Sequence, residues 1–460
     1  MKPLVIRSPR HFPGGHHPER GVTMILVAVA MVAIIGMAIM SIDVVTLYLA
    51  REEAQRSADA AALAAARIIS ISGITGTATT ATDASSWQNV CGTSGTATKI
   101  AQAVGTQSSV GRSAPTVTVQ YTVKGSDSGG STDCSTLTAG FAVNPSVIVQ
   151  VKSVNLPTLF SRVWSRATNT VSATAVAEAY NPSNAGTFTT GDAVPVTPRC
   201  VKPWIVPNHE PGKALFVSVL DGTATIQNPG IQPNGTGNGG VIGETFALVA
   251  DCKTVNCKHP SGLKDNPPIS PGANTLEYVP ALVQGTPTAF PTCANDDVYQ
   301  EAIGGCDQST VYACGTASGS QVDLTFNPTG DTSEATQCLI HQQGGTGQDQ
   351  LDPSVFPFQI KAGSRNPLIT SGVITSSSSI VTVPIYDDNN STSSPVPFTV
   401  DQPQVTIVGF LQVFVNSVVA GSGNVNVTVL NVAGCSTTDG STTQSAAGTS
   451  PVPIRLITAQ

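Results

Sequence analysis

The run GVTMILVAVAMVAIIGMAIMSIDVVTLYLAREEAQRSADAAALAAARII, residues 21–69, decides how the rest of the chain is organised. From Gly21 to Ile42 no side chain carries a charge. A helix over that span is roughly 33 Å long, enough to cross a hydrocarbon core of about 30 Å. A helix also satisfies its own backbone where there is no water. Lys2, Arg7, Arg10 and Arg20 precede the span with Glu19 alone opposing them, which predicts a cytoplasmic N-terminus and an exported remainder. A cleaved secretory signal would have an apolar core of about 7–15 residues ending in a small-x-small site. Here the run is longer and ends Met-Ala-Ile-Met-Ser before Ile42 and Asp43, so the expectation is a retained anchor.

Prepilin processing is a competing reading, because it cuts after a glycine with Glu at the fifth following position. Gly21 has Leu26 there, which argues against that cut. Beyond Asp43 the helix is expected to continue. Arg51, Glu52, Glu53, Gln55, Arg56 and Asp59 are interleaved with alanine, and neither Gly nor Pro occurs before Gly73. Alanine has the best helix propensity, and Glu52 with Arg56 forms a favourable i,i+4 pair. Ala54, Ala58, Ala61, Ala65 and Ile68 repeat at spacings of four and three, one face of a helix that a second element can approach closely. The prediction is a stalk that leaves the bilayer and packs on a core.

Asp43, Tyr48, Arg51, Gln55, Ala58, Asp59, Ala60, Ala61, Ala62, Leu63 and Ala64, placed after an Arg-Gly boundary and a long apolar span, resemble the N-terminal segment of the TadG-like proteins of bacterial tight-adherence (Tad, Flp pilus) assembly systems. The strong match covers fewer than about fifty residues. A second similarity lies in Asn155 to Trp164 followed by the alternating strand Thr170 to Ala179, although Ser165 and Arg166 stand where relatives commonly carry a Gly. Val383 to Asp388 and Val405 to Phe414 resemble the distal part of such chains. The resemblance implies an α+β module over 43–180, a long helix laid across a small antiparallel sheet. It also implies partners among pilus-assembly or pilin-like proteins. Some relatives carry a von Willebrand A insertion with a D-x-S-x-S metal site; Asp83-Ala-Ser85-Ser86-Trp87 fails at its last position, so that domain is not expected.

The remaining chain fits an exported β-rich protein. Charged residues are only 11% and hydrophobic residues 40%, which permits a core and argues against charge-driven disorder. Past the anchor, 18 cations face 28 carboxylates, and no basic track with interleaved aromatics exists, which disfavours nucleic acid. Cys91, Cys134, Cys200, Cys252, Cys257, Cys293, Cys306, Cys314, Cys338 and Cys435 all follow the anchor, an even count that reads as disulfides in an oxidising compartment. Cys91 is paired with Cys134 because no other cysteine precedes Cys200; the other pairings stay open.

The predicted order is a tail (1–20) and a transmembrane helix (21–42), then the α+β module (43–180). A Pro/Thr/Gly linker (181–199) and a disulfide-rich, mainly β region (200–460) complete it. Residues 71–114 read as a Ser/Thr/Gly/Ala connector with a short helix near Lys99 to Val104, and Gly125 to Gly130 as a turn. Strands are expected at Thr116–Val123, Ser146–Val154, Lys213–Val219, Gly243–Ala250, Val373–Pro384, Val405–Val415 and Val425–Val432. Helical periodicity is nearly absent after Cys200, and stretches such as 221–240 and 320–350 show no usable pattern.

Chemistry is sparse. Gly125-Ser-Asp-Ser-Gly129 has Asp where a nucleophile elbow needs Ser, and His209-Glu210 meets Lys213 where a zincin needs its second His. The histidines His11, His16 and His17 belong to the tail; His209, His259 and His341 are scattered. Cys252 and Cys257 with His259 suit a disulfide better than zinc, and Asp387-Asp388-Asn389-Asn390 suits a solvated turn better than calcium. No catalytic, cofactor or metal residue is therefore assigned. The expectation is a single-pass protein of the bacterial inner membrane, non-enzymatic and open to oligomerisation, that serves pilus assembly, anchoring or adhesion. The alternatives are a tethered glycan or peptide hydrolase, for which Asp296 with Asp297 is a candidate carboxylate pair, and a surface adhesin unrelated to pili.

Overall fold

The computed structural model describes residues 20–76, 83–123, 129–142, 144–156, 169–181, 196–211, 215–220, 223–226, 240–250, 274–288, 297–310, 312, 320–323, 328–387, 404–434, 446–448 and 450–457. Its first element, α1 (Arg20–Ile71), is one unbroken helix. The apolar segment is long enough to cross a membrane, and its 18-residue most apolar window is 0% buried. The first buried side chain along α1 is Asp43, followed by Ala50, Ala54, Ala58, Ala61, Ala65 and Ile68. The alanine seam is thus a real packing face, and it begins lower on the helix than Ala54.

Two helices and a sheet receive that face. The stretch 71–114, expected as a connector, instead holds α2 (Asp83–Cys91) and α3 (Thr96–Gln107), the second containing the anticipated Lys99–Val104 turn. Small residues let α3 lie close to α1: the Ser57 hydroxyl donates to the Gly105 carbonyl at 2.8 Å. A Cβ built on Gly105 would sit 2.8 Å from Val117 Cγ2 and 3.4 Å from Ala61 Cβ, so this crossing requires glycine. On the other side lie β1 (Thr116–Val123), β2 (Pro145–Leu156) and β3 (Asn169–Ala179), paired antiparallel. Their apolar-polar alternation puts Val119, Tyr121, Val147, Val149, Val151, Ala173 and Ala175 in one core with the helices. Cys91 and Cys134, the pair named from sequence, are bonded with Cα atoms 5.5 Å apart beside the Trp87–Phe141 edge contact.

The outer region is mainly β, but among its described residues it also carries two helices. It contains β4 (Trp204–Pro207), β5 (Thr245–Ala250), β6 (Thr275–Pro280), α4 (Val298–Gly304), α5 (Pro328–Leu339), β7 (Ile380–Tyr386), β8 (Ile407–Val418) and β9 (Val425–Gly434). The six strands close into a barrel in the order β7-β8-β9-β5-β6-β4, an architecture that no local pattern announced. Two of its pairings, β5 with β6 and β7 with β4, are parallel; the rest are antiparallel. Inward residues from every strand, among them Trp204, Leu248, Tyr278, Val383, Leu411 and Val427, form its core, joined by Tyr299 and Ile303 of α4 and Ala335 and Leu339 of α5. The short helices escape sequence reading because their apolar faces span only one or two turns. Lys213 and Ala214 of the expected Lys213–Val219 strand lie outside the described residues, and Val217–Leu220 forms a hairpin with Thr223–Ile226.

The last strand, β10 (Ile454–Ile457), does not join the barrel, although the sequence reads 200–460 as one outer region. It returns to the inner module and pairs antiparallel with β3, giving a four-stranded sheet in the order β1-β2-β3-β10. Arg455 reinforces the return through an ion pair of 2.5 Å with the buried Glu178 and by lying 5.1 Å over the Tyr180 ring. Cys200 and Cys306 form a second disulfide, Cys338 is also disulfide-bonded, and among the described residues no cysteine is free. Cys252, Cys257, Cys293, Cys314 and Cys435 lie outside the described residues, as do the 125–128 turn, Phe160 to Trp164 and most of the 181–199 linker.

Candidate functional site

The site of interest is the path from the apolar span to the barrel. At its lower end Asp43 is 7% exposed while Val44, Val45, Tyr48 and Leu49 on other faces of α1 are each more than half exposed. The inner module therefore meets α1 where the uncharged run ends. A groove of about 390 Å³ opens there, lined by Ile42, Asp43, Leu47 and Glu53 of α1 and by Arg112 and Leu156. The backbone N–H of Gly111 donates to Glu53 Oε2 at 2.9 Å. Gly111 has φ 57°, and an added Cβ would lie 2.3 Å from Leu156 Cδ2, so the turn that closes on the helix requires glycine.

The motif residues divide by face. Ala58, Ala61 and Ala62 are fully buried, whereas Arg51 and Ala60 are exposed and Leu63 and Ala64 half-buried. Gln55 Nε2 donates to Asp59 Oδ1 at 2.7 Å along the helix and reaches the Thr174 carbonyl of β3 at 3.4 Å. The polar members of the motif thus fix the rotation of α1 over the sheet, and the alanines fix its distance.

At the upper end a buried polar network joins helix, module and barrel. Asn431 Nδ2 of β9 donates to the Ser70 carbonyl at 2.6 Å and to Thr75 Oγ1 at 3.1 Å. Asn181 Nδ2 donates to Thr75 Oγ1 and to the Val432 carbonyl, both at 3.0 Å, while its own N–H donates to Asn144 Oδ1 at 3.0 Å. The Ser70 hydroxyl donates to the Val452 carbonyl at 2.6 Å. Ser70, Thr75, Asn181 and Asn431 are all 0% exposed. Gly73 closes the contact: its φ is 74°, and a Cβ there would stand 2.5 Å from Ile242 Cγ2. Simple alternation would put Asn431 on the same face as Val425, Val427 and Val429, inside the barrel. A bulge at Leu430, where Val413 pairs with Val429 but Gln412 with Asn431, turns Asn431 outward to the end of α1. Nothing in the sequence analysis singles out this network; its available signal is an Asn interrupting a valine run.

The chemical candidates resolve into structure. Asp297 caps α4, its Oδ1 accepting from the Gln300 N–H at 2.7 Å, and Asp296 lies outside the described residues. Lys202 is buried, and its ammonium donates to the carbonyls of Ala302, Ile303 and Gly305 at 3.3, 2.6 and 2.7 Å, which are the unsatisfied carbonyls at the end of α4. Burial brings its pKa down to about 7. Tyr278 and Tyr299 share the Thr332 hydroxyl at 2.9 and 3.0 Å, and burial raises both phenols far above their ordinary range. His209 follows β4, His341 follows α5 with φ 56°, and His259 and Asp388 to Asn390 lie outside the described residues. Among the described residues no three His, Cys, Asp or Glu side chains converge as a metal site.

Neither curated proteins nor solved structures provide a match to this chain. The span and the lower stalk do find one: residues 21–67, the stretch that carries both the membrane-length helix and the alanine seam, match the Tad family described as "Putative Flp pilus-assembly TadE/G-like".

Proposed function

We propose that the protein is a non-enzymatic, membrane-anchored component of a Tad/Flp-type pilus assembly and secretion apparatus. α1 crosses the bacterial inner membrane with its N-terminus in the cytoplasm, and the exported part serves pilus assembly, anchoring or adhesion. The observation that carries this reading is the unbroken helix Arg20–Ile71, apolar and exposed at one end and tied at the other to the inner module through Ser70–Val452 and to the barrel through Asn431. From Ile42 to Ile71 the helix is about 44 Å long. It holds the barrel at a fixed height and rotation above the bilayer, which an assembly scaffold needs and a freely tethered enzyme does not. The match over residues 21–67 supplies the pilus connection.

Deletion of the gene is expected to abolish piliation, with restoration by the wild-type chain. A variant carrying Ala62→Pro, which breaks the stalk but leaves the span, is expected to reach the membrane and fail to restore pili. Normal pili in the deletion strain would refute the assembly role. A reporter fused after Gln460 and found on the cytoplasmic side would refute the topology.

A further inference from the structure

Beyond Ile42 the two sides of α1 part company. Asp43, Ala50 and Ala54 are buried against the inner module. At about 100° per residue, Val44, Val45, Tyr48 and Leu49 fall on the opposite side of the helix. They are 57, 53, 63 and 54% exposed. Singly exposed apolar side chains need no explanation; four on one side of two turns do. That side continues the surface of the uncharged span. Met37 and Ser41 lead at helical spacing into Val44 and Tyr48, and Ile42 leads into Val45 and Leu49, all of them exposed. The exposed apolar surface therefore runs from Val22 to Leu49. That is about 40 Å of helix, against roughly 30 Å of hydrocarbon core.

The surface ends as a lipid-facing surface should. Tyr48, a ring with a polar tip, is followed within one turn by Arg51 and Glu52, both exposed, which is the order of side chains found at a bilayer boundary. The Thr46 hydroxyl, on the flank, donates to the Asp43 carbonyl at 2.9 Å, so it can enter an apolar layer with its hydrogen bond already made. The module side of the same turns is polar at its rim, where Glu53 and Arg112 border the groove.

We propose that α1 leans as it leaves the membrane, so that Val44, Val45, Tyr48 and Leu49 lie in the leaflet next to the module while the groove side faces headgroups and water. The inference rests on the reading of α1 as a membrane span and deepens it. A helix with more apolar length than the bilayer core takes up the excess by tilting. It tilts toward the side that stays apolar longest, and here that is the side away from the module. Acyl chains are the occupant because this surface continues the span without a break and closes in Tyr48 and Arg51. The inner module then rests on the bilayer in one fixed direction instead of standing clear of it.

The test places the full chain, one copy per lipid disc, in phosphatidylcholine brominated either near the headgroup end of the acyl chain or near its tip. Single tryptophans are introduced by Val32→Trp, Val45→Trp, Tyr48→Trp and, on exposed α3, Gln102→Trp; the emission of the native Trp87, Trp164 and Trp204 is subtracted using the wild type. The indole at 32 should be quenched by the deep bromines. Those at 45 and 48 should be quenched more by the shallow bromines and emit further to the blue than the one at 102, which neither lipid should quench. The pair Val45→Lys with Leu49→Lys, both exposed positions, should release Tyr48→Trp from quenching and leave Val32→Trp quenched. Unquenched indole at 32 would refute the membrane span itself. Quenching at 32 with none at 45 and 48 would leave the span intact and overturn the lean. Quenching at 45 and 48 that vanishes when each disc holds two chains would give this face to a second copy and also overturn it.

Discussion

The inner module and the outer barrel are built by opposite strategies. In the inner module, α1, α3 and β1 to β3 follow one another closely in sequence, and small residues set the distances between them. In the barrel, the pairings that close it are remote: β9 pairs with β5 across Val425↔Leu248, and β7 pairs with β4 across Ile385↔Val206. The first region loses little loop-closure entropy, while the second closes long loops before its contacts form. A staple should therefore matter most where the chain is least local, and packing precision should matter most where helices touch.

The largest expected effect tests the staples. By chain entropy, losing Cys200–Cys306, separated by 106 residues, costs about 5 kcal/mol, whereas losing Cys91–Cys134, separated by 43, costs about 4 kcal/mol. Paired Cys→Ser variants compared by denaturant unfolding should keep that order, and the reverse order would break the comparison. Next, Ala61→Leu forces new atoms against α3 and should cost about 3 kcal/mol, seen as a lower midpoint for the inner module alone. Third, Asn431→Ala strands the Ser70 carbonyl and the Val432 N–H and should cost about 2 kcal/mol. It should also split one unfolding transition into two, because the network couples the regions. A single transition of unchanged breadth would place the coupling elsewhere.

The smallest effect, taken per pH unit, is a pH slope. Lys202 has a folded pKa of about 7 against an ordinary value of 10.5, so between those values the unfolded chain binds more protons. Stability from this group then rises with pH from about 7 toward 10.5, by at most about 1.4 kcal/mol per pH unit, and is flat below 7. Lys202→Met should remove that rise. A difference between wild type and variant that is constant from about pH 7 to 10 would show that the ammonium is not the group buried against α4.

What can be read in advance follows the same division. Ala54, Ala58, Ala61, Ala65 and Ile68 announce a helix face, and the alternation at Thr116–Val123 announces a strand with the same limits as β1. These are local periodicities, and local partners satisfy them. Barrel closure is not legible, because the parallel partners of β6 and β7 are chosen by long-range packing rather than by turn chemistry. Helices α2 and α3 are hidden by a Ser/Thr/Gly composition that usually marks loops; their apolar anchors are few, Trp87, Val90, Ala97 and Ala101. The junction is hidden for a different reason. The bulge at Leu430 shifts the phase of β9 by one residue, so Asn431 cannot be placed by counting along the strand.

The return of β10 to the inner sheet has a consequence for biogenesis. Ribosomes deliver a polypeptide from its amino end, so the strand that completes the stalk's own sheet emerges after every strand of the barrel. Until it arrives, one edge of β3 stays open and Glu178 has not yet met Arg455. A stalled or clipped product would thus be marked at the base by an open seam, a feature that a quality-control protease could use to tell finished chains from unfinished ones.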